Sequence, residues 1–118
     1  FPDGVAVRGK PFLIDAVSHY RQYHGDFSRT VCLGEPGREI LARDRAHRNA
    51  RDAVLEAVRP GVKFSALRRI AREAAVKSGM PAEVLIVNPH SLGLEHGDNP
   101  ARADGTYGPP LDTVLEED

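Results

Sequence analysis

The sequence has a single cysteine, Cys32, so no disulfide within the chain can staple the fold, and this usage fits a reducing, cytoplasmic setting. It has no apolar run long enough to cross a bilayer and no basic-then-apolar leader. It has almost no net charge: 16 Lys and Arg meet 17 Asp and Glu, for a formal charge of -1. That balance excludes a strong general attraction to nucleic acid or to an anionic membrane. Internal repeats and low-complexity segments are absent as well. What remains, 41% apolar and 28% charged over 118 residues, is the composition of one globular domain at most. The opening Phe1-Pro2-Asp3, in place of a methionine, reads as processing or as excision from a longer chain.

Gly4, Gly9 and Pro11 punctuate the start as a loop or edge strand. Residues 11–18 (PFLIDAVS) and 27–33 (FSRTVCL) are short and rich in β-branched and aromatic residues, which predicts two strands. The polar stretch around His19 to Gln22 would turn one back on the other. Gly34 to Gly37 ends the second strand. A long helix is expected from Arg38 to Val58, with Ile40, Ala46, Ala50, Val54 and Val58 on its apolar stripe and Pro60-Gly61 as its stop. A second helix is expected from Ser65, as N-cap, to Ser78, with Gly79 at its C-terminal position and Leu67, Ile70, Ala71 and Ala74 facing inward. Residues 83–87 (EVLIV) read as a buried strand, 98–110 as a polar loop and 111–117 as a short terminal turn. The sum is an α/β (α+β) layer, an antiparallel hairpin and a further strand packed on two helices.

Two segments carry chemistry. In "FLIDAVSHYRQYHGDFSRT" (12–30), Asp15 and Asp26 stand eleven residues apart across the expected turn. If they pair directly, the turn centres between Tyr20 and Arg21, and both carboxylates leave one face with Cβ atoms about 5 Å apart. Carboxylates that close repel each other, and a divalent cation with a taste for oxygen ligands removes the conflict. A different register would leave both acids on exposed strand ends. In "NPHSLGLEHGDNP" (88–100), His90 lies at a strand end, with His96 and Asp98 following. Imidazole and carboxylates together make a common divalent-metal set, with a second histidine left for acid–base work.

Taken together, the segments resemble the pita-bread metallopeptidases, which include methionine aminopeptidase, aminopeptidase P, prolidase and creatinase. "LIDAVSHYRQYHGDFSRTVCLGEP" resembles that family's first metal-binding hairpin, "RPGVKFSALRRIAREAAVKSG" (59–79) its Pro-Gly-led helix, and "HSLGLEH" (90–96) its histidine-ligand motif. The resemblance implies part of a pita-bread fold and two divalent metal ions (Mn, Co, Zn or Fe). Asp15 would be a terminal ligand, Asp26 a bridging carboxylate and His90 the nitrogen ligand. Arg29 and Thr30 would be groups that hold the strand and its carboxylate. It also implies a small peptide substrate of the Xaa-Pro type, and it is compatible with a homodimer of the full-length protein.

The chain departs from the family pattern in three places. Gln22 stands where glycine is usual, so the hairpin must turn without that permissive residue. The second, catalytic histidine commonly follows the first by seven residues, but position 97 is Gly and His96 comes one early. A one-residue slip on a strand turns a side chain to the other face, so His96 serves only if the backbone bends there. Last, the two glutamates that complete the family's site follow a segment like "DTVLEED", and Glu116 and Glu117 match the turn before them. Residues 1–118 thus read as an incomplete metallopeptidase-like catalytic domain with three of five ligands. A creatinase-type C–N hydrolase and a non-catalytic pita-bread binding module are the competing readings.

The stretch from Arg38 to Lys77 holds eleven Lys and Arg against five Asp and Glu. Acids are interleaved and stacking aromatics nearly absent, so it reads as a solvated helix face without nucleic acid as a partner. Cys32 reads as a small core residue, Tyr20, Tyr23 and His24 as hairpin packing, and His19 and His47 as surface residues.

Overall fold

The computed structural model describes residues 4–83, 90, 92–94 and 113–117. Two antiparallel strands, β1 (Pro11–Tyr20) and β2 (Tyr23–Cys32), precede two helices, α1 (Arg38–Ala57) and α2 (Phe64–Lys77). Among the described residues the sheet has only these two strands.

Both strands run further toward the turn than composition suggests, leaving a loop of just Arg21 and Gln22. Both loop residues have positive φ, 50° and 72°. That is the backbone of a two-residue type I′ turn, whose twist matches that of the flanking strands. The turn therefore centres between Arg21 and Gln22, one step later than expected, and the register changes with it. Asp15 pairs with Ser28 and Asp26 with Val17, so the expected direct pairing of Asp15 with Asp26 is not formed.

The helices follow the expected periodicity. α1 buries Ala46 and Ala50, and α2 buries Leu67, Ala71 and Ala75. The alanines, with Met80, form the core cluster, and Val54 and Ala74 pack against it. Small side chains on both faces allow the helices to approach closely. Val58, expected on the stripe, is exposed because α1 has already ended at Ala57.

α2 ends in a Schellman motif. The Gly79 amide donates to the Val76 carbonyl (2.9 Å) and the Met80 amide to the Ala75 carbonyl (3.1 Å), while Gly79 takes φ +92°. The α2 N-terminus differs from expectation. Lys63 is the N-cap, makes no side-chain cap bond, and leaves Ser65 inside the first turn. The cap is supplied by the chain's C-terminal segment, where the Thr113 carbonyl accepts from the Phe64 amide at 3.0 Å. Val114 forms an antiparallel bridge with Lys63, so this segment is extended where a turn was expected. Of the strand expected over 83–87, Glu83 lies in a turn and the rest falls outside the described residues.

Candidate metal centre

The register decides which side chains share a face. In an antiparallel pair, directly opposite residues project together and the face alternates along the strand. Leu13, Asp15, Val17 and His19 of β1 therefore share one face with Thr30, Ser28, Asp26 and His24 of β2. Moving the turn by one residue shifts the register sum by two, which preserves this parity. Asp15 and Asp26 are diagonal neighbours on a common face, a relation that places Cα atoms about 7–8 Å apart. The diagonal relieves the direct opposition of like charges.

The backbone of β2 organises the third group. The His24 amide donates outward, away from β1, to the Gly93 carbonyl at 2.7 Å. This bond ties Gly93 to the edge of β2 that faces away from β1, close to Asp26. His90 then meets Asp26, with Nε2 3.6 Å from Oδ2. The separation exceeds that of a good hydrogen bond but is an ion-pair distance if the ring is protonated. Asp26 is half-buried and His90 is more open to solvent. An imidazole nitrogen facing a carboxylate oxygen on a partly sheltered face is the donor chemistry that a first-row divalent cation uses. Among the described residues, no three His, Cys, Asp or Glu donors converge closely enough to hold a metal.

Thr30 lies on the face of the two aspartates, opposite Leu13. Arg29 lies on the other face. Its guanidinium donates to the Ser28 carbonyl at 2.8 Å and sits 5.7 Å from the centre of the Phe27 ring. Among the described residues its contacts are with its own strand and none is with a carboxylate. His96 and Asp98 lie outside the described residues. Tyr20 and Tyr23 are exposed at the hairpin tip and do not pack as expected.

Sequence reasoning did not single out Gly93, whose carbonyl docks the histidine segment on β2. Its position within "HSLGLEH" was the available signal. A groove of about 700 Å³ lies elsewhere, lined by Pro11, Thr30, Cys32, Ile40, Asp44 and His47, where the base of the hairpin meets α1. Cys32 is half-buried there.

The described residues thus form an antiparallel hairpin that carries two aspartates on one face, a histidine segment docked on its second strand, and a pair of helices packed on each other, a mixed α/β architecture. The sequence profile of metallopeptidase family M24 (Peptidase_M24) matches residues 2–118, and the chain belongs to that family. It is 31% identical over 105 residues to an Xaa-Pro dipeptidase of Lactobacillus delbrueckii subsp. lactis, covering 89% of this chain and 27% of the relative. It is 30% identical over 99 residues to the Xaa-Pro dipeptidase of Pyrococcus furiosus, covering 80% of this chain and 28% of the relative. Among solved structures, the prolidase from Pyrococcus furiosus superposes with a TM-score of 0.76 at 28% identity, over 98% of this chain and 34% of that one. A dipeptidase from Pyrococcus horikoshii OT3 gives a TM-score of 0.78 at 27% identity, over 92% of this chain and 29% of that one. The hairpin and helices are thus part of a pita-bread fold, and the chain spans only about a third or less of these relatives.

Proposed function

We propose that the full-length protein is a metal-dependent exopeptidase acting on Xaa-Pro substrates, with a binuclear centre that this chain supplies in part. The observation that carries the reading is the approach of His90 Nε2 to Asp26 Oδ2, on the face that Asp15 shares. The Xaa-Pro dipeptidase relatives support the same substrate class, and the family supports a metallopeptidase. In this reading Asp15 and Asp26 would supply carboxylate oxygens to the metal pair and His90 would supply a nitrogen. Two further carboxylates come from sequence beyond this chain. Such a centre, when loaded, supplies Lewis-acid polarisation of the scissile carbonyl and a water acidic enough to attack it near neutral pH.

The chain's own residues position these donors. The β1–β2 ladder holds the two aspartates on one face, Arg29 pins the β2 backbone next to Asp26, and the His24–Gly93 bond keeps the His90 segment against the strand. His96 would donate a hydrogen bond to the substrate carbonyl beside this centre.

The test is hydrolysis of Xaa-Pro dipeptides by the full-length protein, stripped of metal and then resupplied with Mn²⁺, Co²⁺, Zn²⁺ or Fe²⁺. Turnover should vanish and return with the metal. Asp26→Asn and His90→Ala should lower bound metal, because each removes a donor. His96→Ala should leave metal content nearly unchanged and lower kcat about a hundred- to ten-thousandfold, the range of general acid–base help. Hydrolysis of a non-peptide C–N bond that persists in the stripped protein would favour the creatinase-type reading. Metal binding without turnover of any peptide would favour a binding module.

A further inference from the structure

The tip of the hairpin carries two histidines that the candidate centre does not use. His19 and His24 are directly opposite each other, and their rings leave the same face. The His24 amide points outward to Gly93, so this is a non-hydrogen-bonded pair of the ladder. Such pairs bring opposite Cα atoms to about 4.5 Å and their side chains closest together.

The ring centroids are 6.1 Å apart with planes inclined at 48°, too far and too tilted for stacking. Two imidazoles on one tetrahedral ion, each with a metal–nitrogen distance of about 2.0–2.1 Å, hold their centroids about 5 Å apart. The observed pair is therefore about 1 Å wider than a chelating pair, a gap that rotation of the exposed His19 side chain can close. The Nδ1 of His24 is shut off from solvent and has no hydrogen-bond partner among the described residues, so a ligand reaching His24 from solvent would meet Nε2.

We infer that His19 and His24 form a transition-metal site of their own, a cross-strand bis-imidazole chelate for Zn²⁺ or Ni²⁺ at the hairpin tip. Water completes the coordination. Imidazole donors favour Zn²⁺, Ni²⁺ and Cu²⁺ over Mg²⁺ and Ca²⁺, whereas the Asp15 and Asp26 carboxylates offer hard oxygens. The two sites differ in donor type and in place along the strands. A bound ion would clamp β1 to β2 beside the strained Arg21–Gln22 turn. The inference stands apart from the peptidase reading.

The test is calorimetric titration of Ni²⁺ into the metal-stripped full-length protein, compared with His19→Ala, His24→Ala and Asp26→Asn. His19→Ala and His24→Ala should each lose one Ni²⁺ equivalent, or weaken that binding event at least about tenfold, since a direct ligand is removed. Asp26→Asn should retain that event. Copper added to the wild type at one equivalent should show two nitrogen couplings in its electron paramagnetic resonance spectrum, reduced to one in His19→Ala. Identical Ni²⁺ isotherms for wild type and His19→Ala would overturn the site. So would loss of the same event in Asp26→Asn, which would make the histidines part of the carboxylate centre.

Discussion

Gln22 holds φ +72° and Arg21 +50°, a left-handed pair made without glycine or asparagine. For a residue with a Cβ this region costs roughly 1–2 kcal/mol, because Cβ crowds the following carbonyl. Replacement by glycine removes that crowding but adds about 0.4–1 kcal/mol of freedom to the unfolded chain. Gln22→Gly should therefore stabilise the hairpin by a net ~0.5–1 kcal/mol. Amide hydrogen exchange in the full-length protein should show slower exchange at the tip, by about two- to fivefold, with the α1 and α2 amides unchanged. Faster exchange at the tip would mean that the Gln22 side chain contributes more than its backbone costs. The same two residues explain why the register was not legible in the sequence. A type I′ turn announces itself through Asn-Gly or Asp-Gly, and Arg-Gln carries no such mark. The histidines and tyrosines around it read as loop although they are strand. Alternation still preserved the common face of Asp15 and Asp26, because the register moved by an even step.

At the level of elements, the helices were legible because their signals are local. The alanine stripe fixes the buried face of α1 and α2, and Gly79 fixes the end of α2. The start of α2 was not, because its cap comes from Thr113, some fifty residues away in sequence, and Ser65 has no part in it. Two predictions follow from these causes. Ala71 is fully buried between the helices, so Ala71→Leu must force them apart and should destabilise by about 1–3 kcal/mol, measured by chemical denaturation. Gly79→Ala puts a Cβ where φ is +92° while open space surrounds the position. Its cost is therefore conformational alone, about 1 kcal/mol, and should appear as faster exchange in the last turn of α2. Surface charge matters far less here. The exposed Arg43–Glu39, Arg48–Asp44 and Arg69–Glu73 pairs are helix neighbours worth only about 0.3–0.5 kcal/mol each.

For the molecule as a whole, the described core is small and the hairpin is largely uncovered. Phe12, Ile14 and Phe27 share the face opposite the aspartates and are 42%, 45% and 50% exposed. A two-stranded sheet with both faces open is marginal in water and gains rigidity only when further strands or helices cover it. The site has the same character. His90 meets Asp26, yet no third donor converges with them among the described residues. A divalent ion held by so few protein groups exchanges readily and is poorly oriented for catalysis, which requires donors locked by their surroundings. The 118-residue chain by itself should therefore fail to hydrolyse Xaa-Pro dipeptides at any concentration of Mn²⁺ or Co²⁺, whereas the proposed function expects the full-length protein to hydrolyse them. Assay of the two side by side, with metal content measured on each, checks this. Robust metal-dependent turnover by the short chain would overturn it and would require the missing donors to come from residues 95–112 or from a second copy. Weak metal binding without turnover is the expected result, because Asp26 and His90 meet but no third donor converges with them among the described residues.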